Sequence, residues 1–110
     1  MKGFNKVILI GHLGNAPEIR TLNDGTKVAH FSLAINEYFK DSKGELQTST
    51  DWHNIVAWKG IAEIAEKLLT KGSQVMVEGK LKNRSFEDKE GIKRYVTEVV
   101  AEQLVLLDKK

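Results

Sequence analysis

One segment of this chain has the hydrophobic period of a helix, and the segments on both sides of it have the period of β-strands. In residues 60–70 the apolar side chains Ile61, Ile64, Ala65 and Leu68 recur at spacings of three and four, which places them on one helix face. This pattern is compatible only with folds in which one short amphipathic helix interrupts a series of strands.

The strands are predicted from alternation and from short β-branched runs between turn residues. The clearest alternation places Ala29, Phe31, Leu33 and Ile35 on one strand face and more polar residues on the other. By the same criteria, we predict strands at residues 7–13 with an extension at 18–22, at 29–39, at 52–58, at 74–86 and at 94–107. Residues 40–50 are polar and are predicted to form an exposed hairpin loop.

Five strands with one helix between the third and the fourth is the element order of the OB-fold, a small Greek-key barrel that binds oligonucleotides on one face. The length of 110 residues fits one such domain, spanning residues 1–110. Many small α+β folds contain similar runs, so the order alone leaves the topology open. The pattern therefore favours a mainly β protein, a five-stranded OB-fold barrel with one short helix, without requiring it.

Composition excludes several classes of protein. The 17 Lys and Arg residues against 15 Asp and Glu give a net charge of +2, too small to indicate a nucleic-acid partner by itself. The absence of cysteine excludes disulfides and thiolate metal ligands. No apolar run approaches the roughly 20 residues of a membrane span, and no signal peptide is recognised, so we expect no membrane partner and a cytoplasmic location.

The most informative segment for function is a predicted strand with three cations and an aromatic residue on one face. Alternation places Lys80, Lys82, Arg84 and Phe86 together, and such a face is able to follow phosphates and stack a base. The same pattern also fits a solvated strand face whose terminal aromatic residue closes a hydrophobic edge. For an isolated strand, the solvated face is the commoner case.

Three more aromatic residues leave two interpretations open. Trp52 and Trp58 share one face of their predicted strand, but the other face is also apolar, so either face could belong to the core. Lys59, which follows Trp58, and the position of Trp52 beside the polar loop favour exposed rings on which bases stack. Phe39 either continues the core face of Phe31 or forms an exposed platform at the strand end.

The residues give no indication of catalysis or of a cofactor. His12, His30 and His53 lie on separate predicted strands, without carboxylates at ligand-like spacing, so we predict no metal site. The chain has no nucleophile elbow, no glycine-rich phosphate loop and no acidic pair suited to two-metal chemistry. We therefore predict a protein that is not an enzyme and needs no cofactor.

Several short blocks of the sequence, which follow one another in a fixed order, are more specific than any of these patterns. The blocks are NKVILIGHLG (5–14), PE (17–18) with Arg20, DWH (51–53), KGSQV (71–75), VEGKL (77–81), RY (94–95) and TEVV (97–100). In these blocks the chain resembles the bacterial single-stranded DNA-binding protein (SSB) family over nearly its whole length. The resemblance implies an OB-fold that binds and protects single-stranded DNA, without sequence preference, in replication, recombination and repair.

The resemblance also implies roles for individual residues. The implied base-stacking positions are Phe39, Trp52, Trp58 and Phe86. The implied phosphate contacts are Lys2, Lys6, Arg20, Lys71, Lys82 and Arg84, to which we add Lys80 from the strand pattern and Lys59, which is adjacent to such a position. The implied subunit contacts are His53, Gln74 and Met76, in an assembly that is usually a homotetramer.

The sequence departs from the family pattern at several points. Phe39 and Phe86 stand where better-known members have Trp, and Trp58 stands where they have Phe; each exchange keeps an aromatic ring. Met76 replaces an aromatic residue at the subunit contact, so a dimer is also possible. Typical members continue into a flexible linker and an acidic tail, whereas this sequence ends in Asp108-Lys109-Lys110, so we expect no tail-mediated protein partners from this chain.

Two other functions are compatible with the same barrel. One is a primosome-type interaction module that mainly docks proteins, binds nucleic acid weakly and forms a dimer. The other is a nuclease, which would need clustered acidic metal ligands.

Overall fold

The structure, a computed structural model, describes residues 3–108. Its elements are β1 (Val7–Leu13), β2 (Glu18–Thr21), β3 (Lys27–Lys40), β4 (Leu46–Trp58), α1 (Gly60–Leu68), β5 (Gln74–Glu87) and β6 (Lys93–Leu106). When β1 and β2 are counted as one interrupted strand, this is the predicted order of five strands with one helix between the third and the fourth.

The strands close into a barrel. They form one sheet in the order β1-β5-β6-β4-β3-β2, and an additional pairing of β1 with β3 joins the two sides. β4 and β6 run parallel, and the other pairs are antiparallel. The predicted fold class, a mainly β five-stranded OB-fold barrel with one short helix, is therefore confirmed.

The core fills the inside of the barrel with alternate residues from each strand. Leu33, Ile55, Val75, Val77 and Val99 are its largest fully buried side chains. Each such side chain stabilises the fold by about 1.5–3 kcal/mol relative to an exposed position. The interior is therefore the main source of stability in the barrel.

The helix contributes small residues to this core. Ala62 and Ala65 of α1 are fully buried, which lets the helix backbone lie close to the barrel. Ile64 and Leu68, predicted above to share the apolar face of the helix, are exposed. The buried stripe is rotated from the predicted one toward Ala62 and toward Leu69, which follows the last residue of the helix.

The prediction of an exposed loop at residues 40–50 is wrong. β4 begins at Leu46, which pairs with Lys40, so β3 and β4 continue past the barrel as a two-stranded ribbon. The turn is short because Oδ1 of Asp41 accepts the N–H groups of Lys43 and Glu45, both at 2.9 Å. Both faces of this ribbon are exposed, so its sequence lacks the hydrophobic alternation from which strands are recognised.

The hairpin between β5 and β6 has a turn of the same design. Oδ1 of Asp88 accepts the N–H groups of Glu90 and Ile92, and Gly91 takes a positive φ of 80°. The side chain of Arg94, followed by the Ile92 N–H, lowers the pKa of Asp88, and the N–H of Glu45 lowers the pKa of Asp41. Both carboxylates therefore stay ionised, and hold their turns, over the neutral pH range.

Lys59 connects β4 to α1 in a backbone conformation that favours glycine. It has φ 56° and ψ −124°, and it is the one non-glycine residue with positive φ among residues 3–108. These angles match the first central position of a type II′ turn, where a side chain is crowded. The N–H of Lys59 donates to the carbonyl of Lys27 at 2.9 Å, so the pairing of β3 with the end of β4 holds the strained residue in place.

We predict that Lys59→Gly stabilises the protein. Strain of this kind amounts to roughly 1–3 kcal/mol, and the extra freedom of glycine in the unfolded chain offsets roughly 0.5–1 kcal/mol of the relief. The free energy of unfolding, measured by urea titration, should therefore rise by about 1 kcal/mol.

Lys59→Ala is the matched control, because alanine removes the charge and leaves the strained backbone with a Cβ atom. It should not raise the stability. An equal rise for both variants would show that the lysine charge, and not its backbone, is the source of the effect.

Candidate nucleic-acid interface

The outward positions of β4 carry both tryptophans. The core takes Ile55 and Ala57, which are fully buried, so the alternate positions must point away from it. Trp52 and Trp58 are 61% and 44% exposed. The structure thus decides between the two interpretations of this strand in favour of exposed indole rings.

The outer surface of the barrel continues from β4 to its neighbours on one side. Trp58 lies opposite Val28 of β3, and Val28 lies opposite Arg20 of β2. Paired residues of neighbouring strands point to the same face of a sheet. Arg20 therefore shares the face of Trp58, as expected for a phosphate contact next to a stacked base.

On the other side of β4, the same surface reaches the basic strand. β6 lies between β4 and β5. Val75 and Val77 of β5 point into the core, so the alternate residues of the strand point outward. In the second half of the strand these are Lys80, Lys82, Arg84 and Phe86, and all four are exposed. The strand face predicted from alternation lies on the same side of the barrel as the two tryptophans.

A groove of about 300 Å³ crosses this surface from β3 over β4 and β6 to Arg84 of β5, and Glu18 of β2 also lines it. Its walls include His30, Asn54 and Val96, and its cationic side is formed by Arg84. The groove is open to solvent and combines hydrogen-bonding groups with apolar ones. Such a site suits an extended polar chain better than a compact, buried ligand.

A carboxylate at the bottom of this groove holds its main cation. Glu98 of β6 is only 8% exposed, and its Oε1 accepts a hydrogen bond from Nε of Arg84 at 2.9 Å. The guanidinium carbon also lies 5.8 Å from the centroid of the Phe86 ring. Because the pair uses Nε, the Nη groups of Arg84 remain as donors for another acceptor, such as a phosphate.

Sequence reasoning missed Glu98. The signal was present: Val99 points into the core, so its neighbour Glu98 points outward, to the same face as the cations of β5. A surface predicted from its positive charge gave no reason to assign an acidic residue to it.

Gly14 supports the ring of Trp52. A methyl group on Gly14 would overlap Cζ3 of Trp52 and lie 2.9 Å from its Cη2. The indole thus lies directly on the backbone of the segment after β1, in a position that only glycine permits. Sequence reasoning gave Gly14 no role, because a close approach between distant segments leaves no local pattern.

The other predicted cations are distributed around the groove. Lys59 follows Trp58 directly. Lys71 lies in the turn before β5, where the N–H of the next residue, Gly72, donates to the carbonyl of Leu13 at the Trp52 end of the barrel. Lys6 precedes β1 and is ion-paired with Glu78 at 3.5 Å, outside the lining of the groove. Lys2 lies outside the described residues.

Phe39 is not placed beside the tryptophans. It is exposed on the ribbon formed by β3 and β4, but it shares strand parity with Phe31 and Leu33, which point into the core. Trp52 has the opposite parity, because it lies opposite Ala34. The structure therefore brings Trp52, Trp58 and Phe86 to the groove side and leaves Phe39 on the other face of the ribbon.

The predicted subunit contacts occupy two regions. Gln74 and Met76 lie on the outer face of β5, opposite His12 and Ile10 of β1. His53 is half-buried on the inward side of β4, opposite Leu33. The three residues therefore do not form one patch on a single chain.

Residues 3–108 contain neither a cluster of metal-ligating side chains nor a membrane-spanning helix. Within this range, no three His, Asp or Glu side chains are grouped so that they could hold a metal ion. No helix in the same range is long and apolar enough to cross a membrane.

The closed barrel, with aromatic and basic side chains along one open groove, defines an oligonucleotide-binding OB-fold protein. The model of the single-strand binding protein family matches residues 4–107. The chain belongs to this family, as the resemblance predicted. Because the family is one of non-enzymatic DNA-binding proteins, the prediction that the chain is not an enzyme is also confirmed.

Individual relatives agree with this assignment. "Single-stranded DNA-binding protein 1" of Chlorobaculum tepidum is 51% identical over 110 residues, covering 99% of this chain and 68% of that protein. A protein of the same name from Xylella fastidiosa is 45% identical over 111 residues, covering 100% of this chain and 82% of that protein. A solved structure, "Plasmodium falciparum SSB complex with ssDNA", superimposes with a TM-score of 0.90 at 39% identity and covers 98% of both chains.

We predict that Gly14→Ala weakens DNA binding although Gly14 itself offers no side chain to DNA. The added methyl group must displace the indole of Trp52 from its position. Because a stacked base contributes roughly 1–3 kcal/mol in OB-fold proteins, affinity for oligo(dT) should fall by about five-fold or more. Fluorescence anisotropy of a labelled oligonucleotide measures the affinity, and the tryptophan emission spectrum reports the displaced ring.

Gly3→Ala is the control, since an added methyl group there has no neighbour within 4 Å. It should leave both measurements unchanged. An unchanged affinity for Gly14→Ala together with a shifted emission spectrum would show that the position of Trp52 is unimportant for binding.

Proposed function

We propose that residues 1–110 form one domain that binds single-stranded DNA without sequence preference and protects it during replication, recombination and repair. The observation that carries the proposal is that Trp52, Trp58 and the cations of β5 are exposed on the outer face of the barrel, beside an open groove that Arg84 lines. Membership in the single-strand binding protein family and the likeness to an SSB solved with ssDNA support the same partner.

Binding in this proposal has two components. Bases stack on Trp52, Trp58, Phe86 and Phe39, and because every base has a π-face, stacking tolerates any sequence. Phosphates are neutralised by lysine and arginine side chains, which releases counterions and makes the affinity fall with salt. The proposed phosphate contacts are Arg20, Lys59, Lys71, Lys80, Lys82 and Arg84, with Lys6, which lies outside the lining of the groove, and Lys2, which lies outside the described residues.

Arg84 is central to both components. Its Nη groups are available to a phosphate while Nε stays bonded to Glu98, and its guanidinium carbon lies over the Phe86 ring. A phosphate at this point would therefore place the neighbouring base close to Phe86. The acidic partner keeps the cation in the groove, and the attraction to DNA remains because the other cations of β5 outnumber it.

We predict that the two components separate in salt titrations. Trp52→Ala and Trp58→Ala should each weaken binding about five-fold or more, equally for oligo(dT), oligo(dA) and mixed sequences, and leave the salt dependence unchanged. Lys82→Ala should weaken binding less at high salt and reduce the slope of log K against log[salt] by about 0.7. Anisotropy of labelled oligonucleotides at several salt concentrations measures both quantities.

Lys67→Ala is the matched control, because Lys67 lies in the last turn of α1 and not on the groove face. It should change neither affinity nor slope. A wild-type protein that does not bind oligo(dT) at low salt would overturn the proposed function, and a strong base preference in the tryptophan variants would overturn neutral stacking.

We further propose that the chain self-associates through the outer face of β1 and β5. Ile8 and Ile10 are exposed there, and Ile10 lies opposite Met76, which in turn lies opposite Val105 of β6. Among the described residues, β1 pairs with β3 only at His12 and Leu13, so the segment from Val7 to Gly11 has a free strand edge. Exposed apolar residues beside an open strand edge are typical of a protein interface.

We predict that Ile10→Lys lowers the molecular mass in solution, measured by size-exclusion chromatography with light scattering. A charge at the centre of this apolar patch should oppose burial against a second copy. Ile64→Lys is the control, because Ile64 is an exposed apolar residue on α1. A wild-type monomer, or an equal effect of both variants, would contradict self-association through this face; the mass of the wild type also distinguishes a tetramer from a dimer.

The proposal also concerns where the protein is found and which result would favour the alternative function. A cytoplasmic, nucleoid-associated location suits a protein that binds exposed DNA strands. A dimer with weak affinity would instead favour the primosome-type interaction module.

A further inference from the structure

The ribbon formed by β3 and β4 continues the face on which Trp52 lies. Ala34 lies opposite Trp52, Asn36 opposite Thr50, and Tyr38 opposite Thr48. Residues of one strand at a spacing of two point to the same side. We call this side of the ribbon the Tyr38 face; it consists of Asn36, Tyr38, Lys40, Leu46, Thr48 and Thr50.

The Tyr38 face, like the surface around the groove, combines an exposed aromatic ring with a cation. Tyr38 is 67% exposed, and Lys40 follows it on the same side of the strand. Between Tyr38 and Trp52, Oγ1 of Thr50 donates a hydrogen bond to Oδ1 of Asn36 at 2.8 Å, which fixes the surface that joins the two rings. An aromatic ring with a neighbouring cation is the pairing that Phe86 and Arg84 form on β5.

Charge distinguishes the two sides of the ribbon. The six residues of the Tyr38 face include one lysine and no acidic residue. The opposite side carries Glu37 and Asp51, which both lie between the barrel and the Phe39 position along the ribbon. Because phosphates are repelled by carboxylates, the part of the ribbon next to the barrel repels a single strand less on the Tyr38 face than on the opposite side.

We propose that Tyr38 is a base-stacking position and Lys40 a phosphate contact, so that the path of single-stranded DNA continues from the groove along the Tyr38 face. This inference rests on the proposed function and extends it to a residue that sequence reasoning did not assign. Tyr38 lies four residues along the strand from Ala34, the partner of Trp52, which corresponds to about 13 Å. The additional contact therefore requires an oligonucleotide that reaches beyond the groove.

Tyr95 provides a matched control on the other ribbon. It is 74% exposed and, like Tyr38, has a lysine two residues away on its strand face; Nζ of this Lys93 lies 5.5 Å from the centroid of the Tyr95 ring. However, its strand parity is that of Val99, which points into the core, so Tyr95 lies on the side of β6 away from the groove. The two tyrosines thus match in exposure and in cationic neighbour, and differ in the face that they occupy.

The test compares Tyr38→Ser with Tyr95→Ser in binding to labelled oligo(dT) of increasing length, over the range of about 4 to 16 nucleotides that OB-folds occupy. For the longer oligonucleotides, Tyr38→Ser should lower the affinity by about five-fold or more, and Tyr95→Ser should not change it. For the shortest ones, which fit within the groove, neither variant should have an effect. Tyr38→Phe keeps the ring and should bind like the wild type.

A second measurement tests the lysine. Lys40→Ala should reduce the slope of log K against log[salt] by about 0.7 for the longer oligonucleotides only. Urea titration of each variant shows that the barrel is intact, since both tyrosines lie outside the core.

The results separate this inference from the function on which it rests. If the wild type binds oligo(dT) and Tyr38→Ser binds equally well at every length, the path along the Tyr38 face is overturned while the proposed function stands. An equal loss for Tyr95→Ser would also overturn it, because the effect would not depend on the face. If the wild type itself does not bind, the proposed function fails first.

Discussion

The burial of Ile55 and Ala57 determines what β4 presents to solvent. Because side chains alternate along a strand, filling the barrel with these two residues leaves Trp52 and Trp58 on the outside. Two large apolar rings in water are unfavourable for folding, and the protein keeps them there because the core has already used the other face. The core and the groove are thus two sides of one strand, and a register change in β4 would exchange them.

The same alternation explains how much of the site could be predicted from the sequence. The cations of β5 were placed correctly on one outward strand face, because their strand alternates without interruption between core and outward positions. For β4 the two faces are both apolar, and only the structure shows which is inside. The polar residues of the β3–β4 ribbon were interpreted as a loop, because strands exposed on both sides carry no hydrophobic alternation. Glu98 and Gly14 were missed because their partners, Arg84 and Trp52, are distant in the chain.

Charge in this protein is organised locally. The net charge of +2 gives little indication of a partner, yet four outward positions of β5 carry three cations and an aromatic ring. Acidic side chains are arranged to preserve this distribution: Glu98 lies beneath Arg84, and Asp41 and Asp88 are bonded into turns at the hairpin tips. Each of these carboxylates accepts hydrogen bonds from donors of the protein itself, whereas Glu18 adds a negative charge to the lining of the groove.

The contacts of Arg84 affect both the folding of the barrel and the binding of a ligand in the groove. An arginine side chain that becomes ordered loses rotamer freedom amounting to roughly 1.5–2 kcal/mol. Glu98 and the Phe86 ring restrict Arg84 before any ligand arrives, so much of this loss occurs when the barrel folds. A ligand then binds to an Arg84 guanidinium that is already oriented. The stability of the empty barrel and the affinity of its groove are therefore linked, and a substitution in β6 that loosens Glu98 would lower both.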